Sequence, residues 1–203
     1  MGETNEYRWM RPLAVFAVGF VVTTAFQAHP GPGLHGQHLA VSTALVIFAV
    51  GTIVIVRVAD APPALLLSLF VVVVLSAAAL VGLQTSGPGF LGVFPAVSAA
   101  ALRLPPLSGV AVAAVAAVAL AVAWTSNGNH PVNGVILNEI GVAAFYVLAR
   151  SARRLRDANQ RSQGLIVELE ASRAAQTEAA ALGERQRLAR EMHDVLAHSL
   201  SGL

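Results

Sequence analysis

Residues 64–83 read ALLLSLFVVVVLSAAALVGL, an unbroken run with no charged side chain. A bilayer core about 30 Å thick is crossed by roughly 20 apolar residues in a helix, with a usable range of about 17–25. This stretch has the length and character of such a crossing, and it decides the class of the chain. Comparable blocks lie around it, at Pro12–Ala28, His38–Val58, Gly89–Leu102, Leu107–Thr125 and Val132–Ala149. The block at Gly89–Leu102 is short and contains Pro95, so hydropathy alone does not decide it. Hydrophobic residues make up 56% of the 203 positions and charged residues 12%, against about 25% charged in ordinary globular domains. That balance excludes an ordinary soluble domain and predicts an all-α membrane protein.

Charge placement decides the number of crossings. Arg and Lys concentrate in short loops on the cytoplasmic side. With six crossings, Arg8, Arg11, Arg57, Arg103 and everything from Arg150 onward fall on one face, while residues 29–37, 84–88 and 126–131 contain no Arg. Without the fourth crossing, Arg103 and the Arg-rich tail would lie on opposite sides. The prediction is a six-helix transmembrane bundle over residues 1–149, multi-pass in the plasma membrane, with both termini cytoplasmic. Pro30-Gly31-Pro32-Gly33, Gly87-Pro88-Gly89, Pro105-Pro106 and Asn127-Gly128-Asn129 fall between the blocks, where helices must stop. Gly109, Ala113, Ala117 and Ala121 repeat every four residues, a spacing that lets helices approach closely in lipid or arises by chance in an Ala-rich helix. Arg8 and Arg11 before the first block resemble the start of a signal peptide. The block lacks a small-residue cleavage site and others follow, so a retained anchor is expected.

Further exclusions follow from composition. There is no cysteine, hence no disulfide framework or thiolate metal site. All 13 basic residues are Arg, yet the net charge is only +2, and they cluster at membrane boundaries and in the tail. No direct nucleic-acid contact is expected.

At Arg150 the composition changes. Arg150, Arg153, Arg154 and Arg156 form a basic collar suited to anionic lipid at the inner leaflet. Beyond it no proline occurs, and charges of both signs mix with Ala, Leu and Gln. Leu165, Leu169, Ser172 and Gln176 follow a loose 4-3-4 spacing, and Leu182, Ala189, Leu196 and Leu203 recur every seven. Residues 150–181 therefore read as a cytoplasmic coiled-coil linker, and Gly164 and Gly183 would weaken the apolar seam.

Residues 184–203 read ERQRLAREMHDVLAHSLSGL. On a helix, Leu182, Ala189, Met192, Leu196 and Leu203 form one apolar stripe, and His193 follows at its edge. Glu184–Arg187, Arg187–Glu191 and Arg190–Asp194 are opposite charges three or four apart, each worth about 0.2–0.5 kcal/mol. An imidazole with a pKa near ~6.5 offers a neutral nitrogen nucleophile at cell pH. An acidic neighbour such as Asp194 can hold its tautomer, as carboxylates do in hydrolase triads. Adjacent helical residues point about 100° apart, so that contact depends on rotamers.

This segment resembles the phosphoacceptor box of sensor histidine kinases in the DesK/NarX-like class. The resemblance covers about the last twenty residues. It implies that residues 182–203 begin the first helix of a dimeric four-helix bundle and that the chain forms a homodimer. It implies that His193 takes the γ-phosphoryl group of ATP, with Mg2+, and passes it to an Asp of a response regulator with a helix-turn-helix output domain. It implies that Asp194 serves as general base, and that Asp194 and His198, four apart, position water for dephosphorylating that regulator. The ATP-binding domain of such kinases does not occur in these 203 residues, so the chain as given is expected to be inactive by itself. No residue here is expected to bind cofactor or metal. The alternative is a non-catalytic membrane signalling or dimerisation protein with a degenerate kinase tail. A transporter would call for paired broken helices or internal repeats, which the sequence lacks.

Two features bear on sensing. Glu139 lies about seven residues into the sixth block, roughly 10 Å from its outer end, where an ionisable group is costly and marks a functional candidate. With Asn138 beside it, it suits ligand or proton sensing, or an interhelical clamp. His29, His35, His38 and His130 map to outer loops or their edges; His35 and His38 at i,i+3 could suit a metal or a pH switch, but plain interfacial polarity is the expected reading.

Overall fold

The computed structural model describes residues 10–58, 61–84, 87, 89–126 and 132–201, with side chains for all of these except residues 10, 11, 13, 132, 189 and 193–201. Their regular elements are α-helices: α1 (Met10–Gln27), α2 (Gly36–Arg57), α3 (Pro63–Leu83), α4 (Phe90–Arg103), α5 (Pro106–Ser126) and α6 (Val132–Ser201). Proline opens α3 and α5, where the missing N–H would have had no intrahelical partner. By length and composition α2, α3, α5 and the apolar start of α6 suffice to cross a membrane. The apolar helices Ala14–Gln27 and Phe90–Arg103 are shorter. These helices fit a membrane protein.

The chain divides into two units, Met1–Arg153 and Arg154–Leu203. In the first, α3 is the central element. Leu66, Phe70, Val73, Val74, Ala77, Leu80 and Val81 bury more than one of its faces, as expected of a helix that is apolar all round. Phe48 of α2, Val93 and Val97 of α4, and Val112 and Leu120 of α5 complete a core with these residues almost wholly enclosed. A Cβ on Gly51 would meet Val73 Cγ2 at 2.6 Å, so α2 and α3 lie close.

The shortness of α4 has a packing cause. A Cβ on Gly89 would lie 2.8 Å from Leu80 Cβ and 2.9 Å from the Ala77 carbonyl. The chain therefore re-enters beside α3 roughly one to two turns before the end of that helix. Starting at that depth, α4 extends only about 21 Å for its 14 residues. It continues through Pro95, which lacks the N–H that would bond the Leu91 carbonyl.

The second unit is helical from Arg154 to Ser201. Its described apolar side chains are open: Leu155, Leu165, Ile166, Leu169, Leu182, Leu188 and Met192 are each about half exposed or more. A single helix gives them nothing to pack on.

Candidate functional site

The segment singled out in the tail lies on the last turns of α6. One of the three expected charge pairs is formed among the described residues: Arg187 Nη2 donates to Glu184 Oε1 at 2.8 Å. Arg190 Nε donates to the Gln186 carbonyl at 3.3 Å. Both bonds join one turn to the next and favour helix. Gly183 has no neighbouring atom within 4 Å of the place a Cβ would take.

His193, Asp194 and His198 continue this helix in backbone conformation; their side chains lie outside the described residues. The helical backbone places Asp194 and His198 about one turn apart, and His193 about 100° round from Asp194. Met192, immediately before the imidazole position, is 66% exposed. Up to Met192 the described side chains of this segment are exposed, apart from residue 189, which is not described.

Glu139 belongs to the first unit, the other three candidates to the second. It is half-buried on α6, and its Oε1 is enclosed without a hydrogen-bond partner among the described residues. Asn138 is buried, but its Nδ2 donates to the Gly134 carbonyl at 3.0 Å, one turn back on its own helix. The two neighbours thus use separate faces. Among the described residues no cluster of three His, Asp or Glu is assembled to hold a metal. His38 Nδ1 donates to the Gly31 carbonyl at 2.6 Å, and Ser42 Oγ to the Gly33 carbonyl at 2.9 Å. These bonds give His38 a structural place, tying the first turn of α2 to the loop before it. His130 lies outside the described residues.

Three polar anchors escaped sequence reasoning. Gln84, 2% exposed, donates through Nε2 to the carbonyls of Ala25 at 2.9 Å and Pro30 at 3.0 Å, tying the end of α3 to the end of α1 and the loop after it. Arg103 at the end of α4 donates to the carbonyls of Ile55 and Val58 at the end of α2. Arg153 of α6 donates to the carbonyl of Leu104 at 2.8 Å. Sequence placed both arginines at the inner membrane boundary, but a boundary arginine alone does not say which carbonyl it will meet. An apolar cavity of about 320 Å³ opens between α1, α2, α3 and α4, with Thr52, Ser98 and Arg103 as its polar edge.

Residues 184–203 match the family model HisKA_3, described as histidine kinase. That match supports a histidine kinase of two-component signalling, a group that works as dimers with response-regulator partners, over this short span. No curated protein and no solved structure matches the chain.

Proposed function

We propose that this chain is the membrane-sensing part of a dimeric sensor histidine kinase of the DesK/NarX-like class, and that His193 is its phosphoacceptor. The observation carrying this reading is the histidine kinase match over residues 184–203, on a helical tail that follows a bundle of apolar helices. In this reading the chain crosses the membrane six times with both termini in the cytoplasm. The second crossing pair includes α4, whose shortness reflects its re-entrant start. The exposed leucines of the tail pack on a second copy, first as a coiled-coil linker and then as a four-helix bundle.

ATP and Mg2+ bind a domain outside these 203 residues, and the transferred group is the γ-phosphoryl. His193 attacks phosphorus through a neutral ring nitrogen, and ADP leaves. Asp194 accepts or steers the other ring proton, which keeps the attacking nitrogen unprotonated. The resulting phosphoramidate passes its phosphoryl group to an Asp of a response regulator. In the reverse mode Asp194 and His198, on one face, orient water towards that phospho-aspartate. The test uses the natural protein with its nucleotide domain and γ-labelled ATP. An acid-labile, base-stable adduct is expected, and His193→Gln is expected to abolish it; an adduct that persists in the variant overturns the assignment.

A further inference from the structure

The membrane part of α6, residues 132–153, touches its neighbours in an unusual way: aromatic rings meet glycines. The ring of Trp124 on α5 covers Gly134, where a Cβ would come 3.0 Å from Cζ3. The ring of Phe94 on α4 covers Gly141 at 2.9 Å by the same measure, and also stacks on Phe145 with centroids 5.0 Å apart and planes 8° from parallel. Tyr146 of α6 lies against Gly109 of α5 at 3.4 Å. Contacts of this kind are dispersive and weakly directional. They pack α6 against the bundle at close range.

Directional bonds occur at the inner end instead. Arg153 Nη1 donates to the Leu104 carbonyl at 2.8 Å, and Tyr146 Oη donates to the Pro106 carbonyl at a long 3.4 Å. The acceptors adjoin one another: Leu104 lies with Pro105 in the short turn after α4, and Pro106 opens α5. The residue just before this turn, Arg103, binds the end of α2 through the Ile55 and Val58 carbonyls. One rigid turn thus joins the inner ends of α2, α4, α5 and α6, and the tail begins at the residue after Arg153. A charge-assisted hydrogen bond is strongly directional, so small helix displacements break it. Beside the glycine–ring contacts, this gives α6 a discrete directional attachment at its end, the kind of element on which helix shifts are built.

We propose that the Leu104–Pro106 turn is a latch for α6, engaged by Arg153 and Tyr146, and that its release switches the phosphorylation state of the tail. The inference rests on the kinase reading above for its output, but not for the latch itself. A ligand or bilayer change that moves α2 or α4 reaches α6 through this turn. Coupling between two such states typically corresponds to a change of about 5–150-fold in an equilibrium.

The cysteine-free chain permits spin labels at Leu107→Cys and Ser151→Cys in the natural protein, reconstituted in nanodiscs of phosphatidylcholine with or without phosphatidylglycerol. The parent is expected to give a narrow distance distribution. Arg153→Leu is expected to broaden or shift it in both lipids, with Tyr146→Phe giving a smaller effect in the same sense. The same variants are expected to change phospho-His193 by about five-fold or more. An unchanged distribution overturns the latch. A change seen only with phosphatidylglycerol assigns Arg153 to lipid anchoring and also overturns it, as does a changed distance with unchanged phosphorylation. If the parent takes up no phosphate, the kinase reading fails while the distance measurement still decides the latch.

Discussion

Arg153 donates a hydrogen bond to the carbonyl of Leu104, 2.8 Å away across 49 residues of sequence. The donor lies on the last membrane turn of α6 and the acceptor at the end of α4, where Leu104 is fully buried. Leu104 also caps α4, its N–H donating to the Ala100 carbonyl at 2.8 Å. One residue therefore closes a short helix and receives the side chain of another. This end of the bundle carries two arginines that make arginine-to-carbonyl bonds, Arg103 and Arg153.

Arg103 makes two such bonds, to Ile55 and Val58. Replacing it with Leu removes a charged donor from two carbonyls at the end of α2. Hydrogen bonds to charged groups contribute about 1.5–3 kcal/mol, so Arg103→Leu is expected to lower stability by an amount in that range. Unfolding in mixed micelles titrated with denaturing detergent measures it, and a loss well below 1 kcal/mol would count against the clamp.

At the opposite end of α3 the corresponding tie is Gln84, through Ala25 and Pro30. Gln84→Leu keeps most of the volume but leaves two carbonyls without their donor. The expected cost is about 1–3 kcal/mol. Labelling of a cysteine introduced at His35 should also accelerate, because the loop it anchors loses its connection to α3.

Gly89 has no room for a side chain against Leu80 and Ala77. Gly89→Val is expected to destabilise by about 1–3 kcal/mol through overpacking, and to expose the start of α4 to water-soluble thiol reagents at nearby introduced cysteines. Tolerance of valine there would show that α4 does not start beside α3.

Glu139 carries an enclosed carboxyl oxygen that has no partner among the described residues. Replacing it with Leu removes an uncompensated polar group from an apolar setting, so the unfolding midpoint is expected to rise. The test of function is separate: Glu139→Gln is followed for signalling against stimulus. An unchanged response removes Glu139 from sensing.

Asp194 and His198 divide the proposed chemistry. Asp194→Asn is expected to slow autophosphorylation by about 10²–10⁴, the usual contribution of a positioned acid or base. His198→Ala is expected to leave autophosphorylation largely intact and to slow dephosphorylation of the regulator. Assays of both half-reactions check the division, and equal losses in both for His198→Ala would assign that residue to bundle packing instead.

Sequence alone determined the helices and singled out the segment that matches the histidine kinase family model. Within two residues, each apolar block predicted the bounds of α1 to α5 and the start of α6, because backbone polar groups in lipid must be satisfied within the segment itself. The tail segment was legible because its pattern is contiguous over residues 184–203. Tertiary structure decided the rest: the re-entrant start of α4, the turn of Asn138 towards Gly134, and the partners of Gln84, Arg103 and Arg153. In each of these ties the acceptor is a backbone carbonyl, which every residue possesses. Side-chain chemistry marks the donor in the sequence, but only the folded chain brings one particular carbonyl within reach.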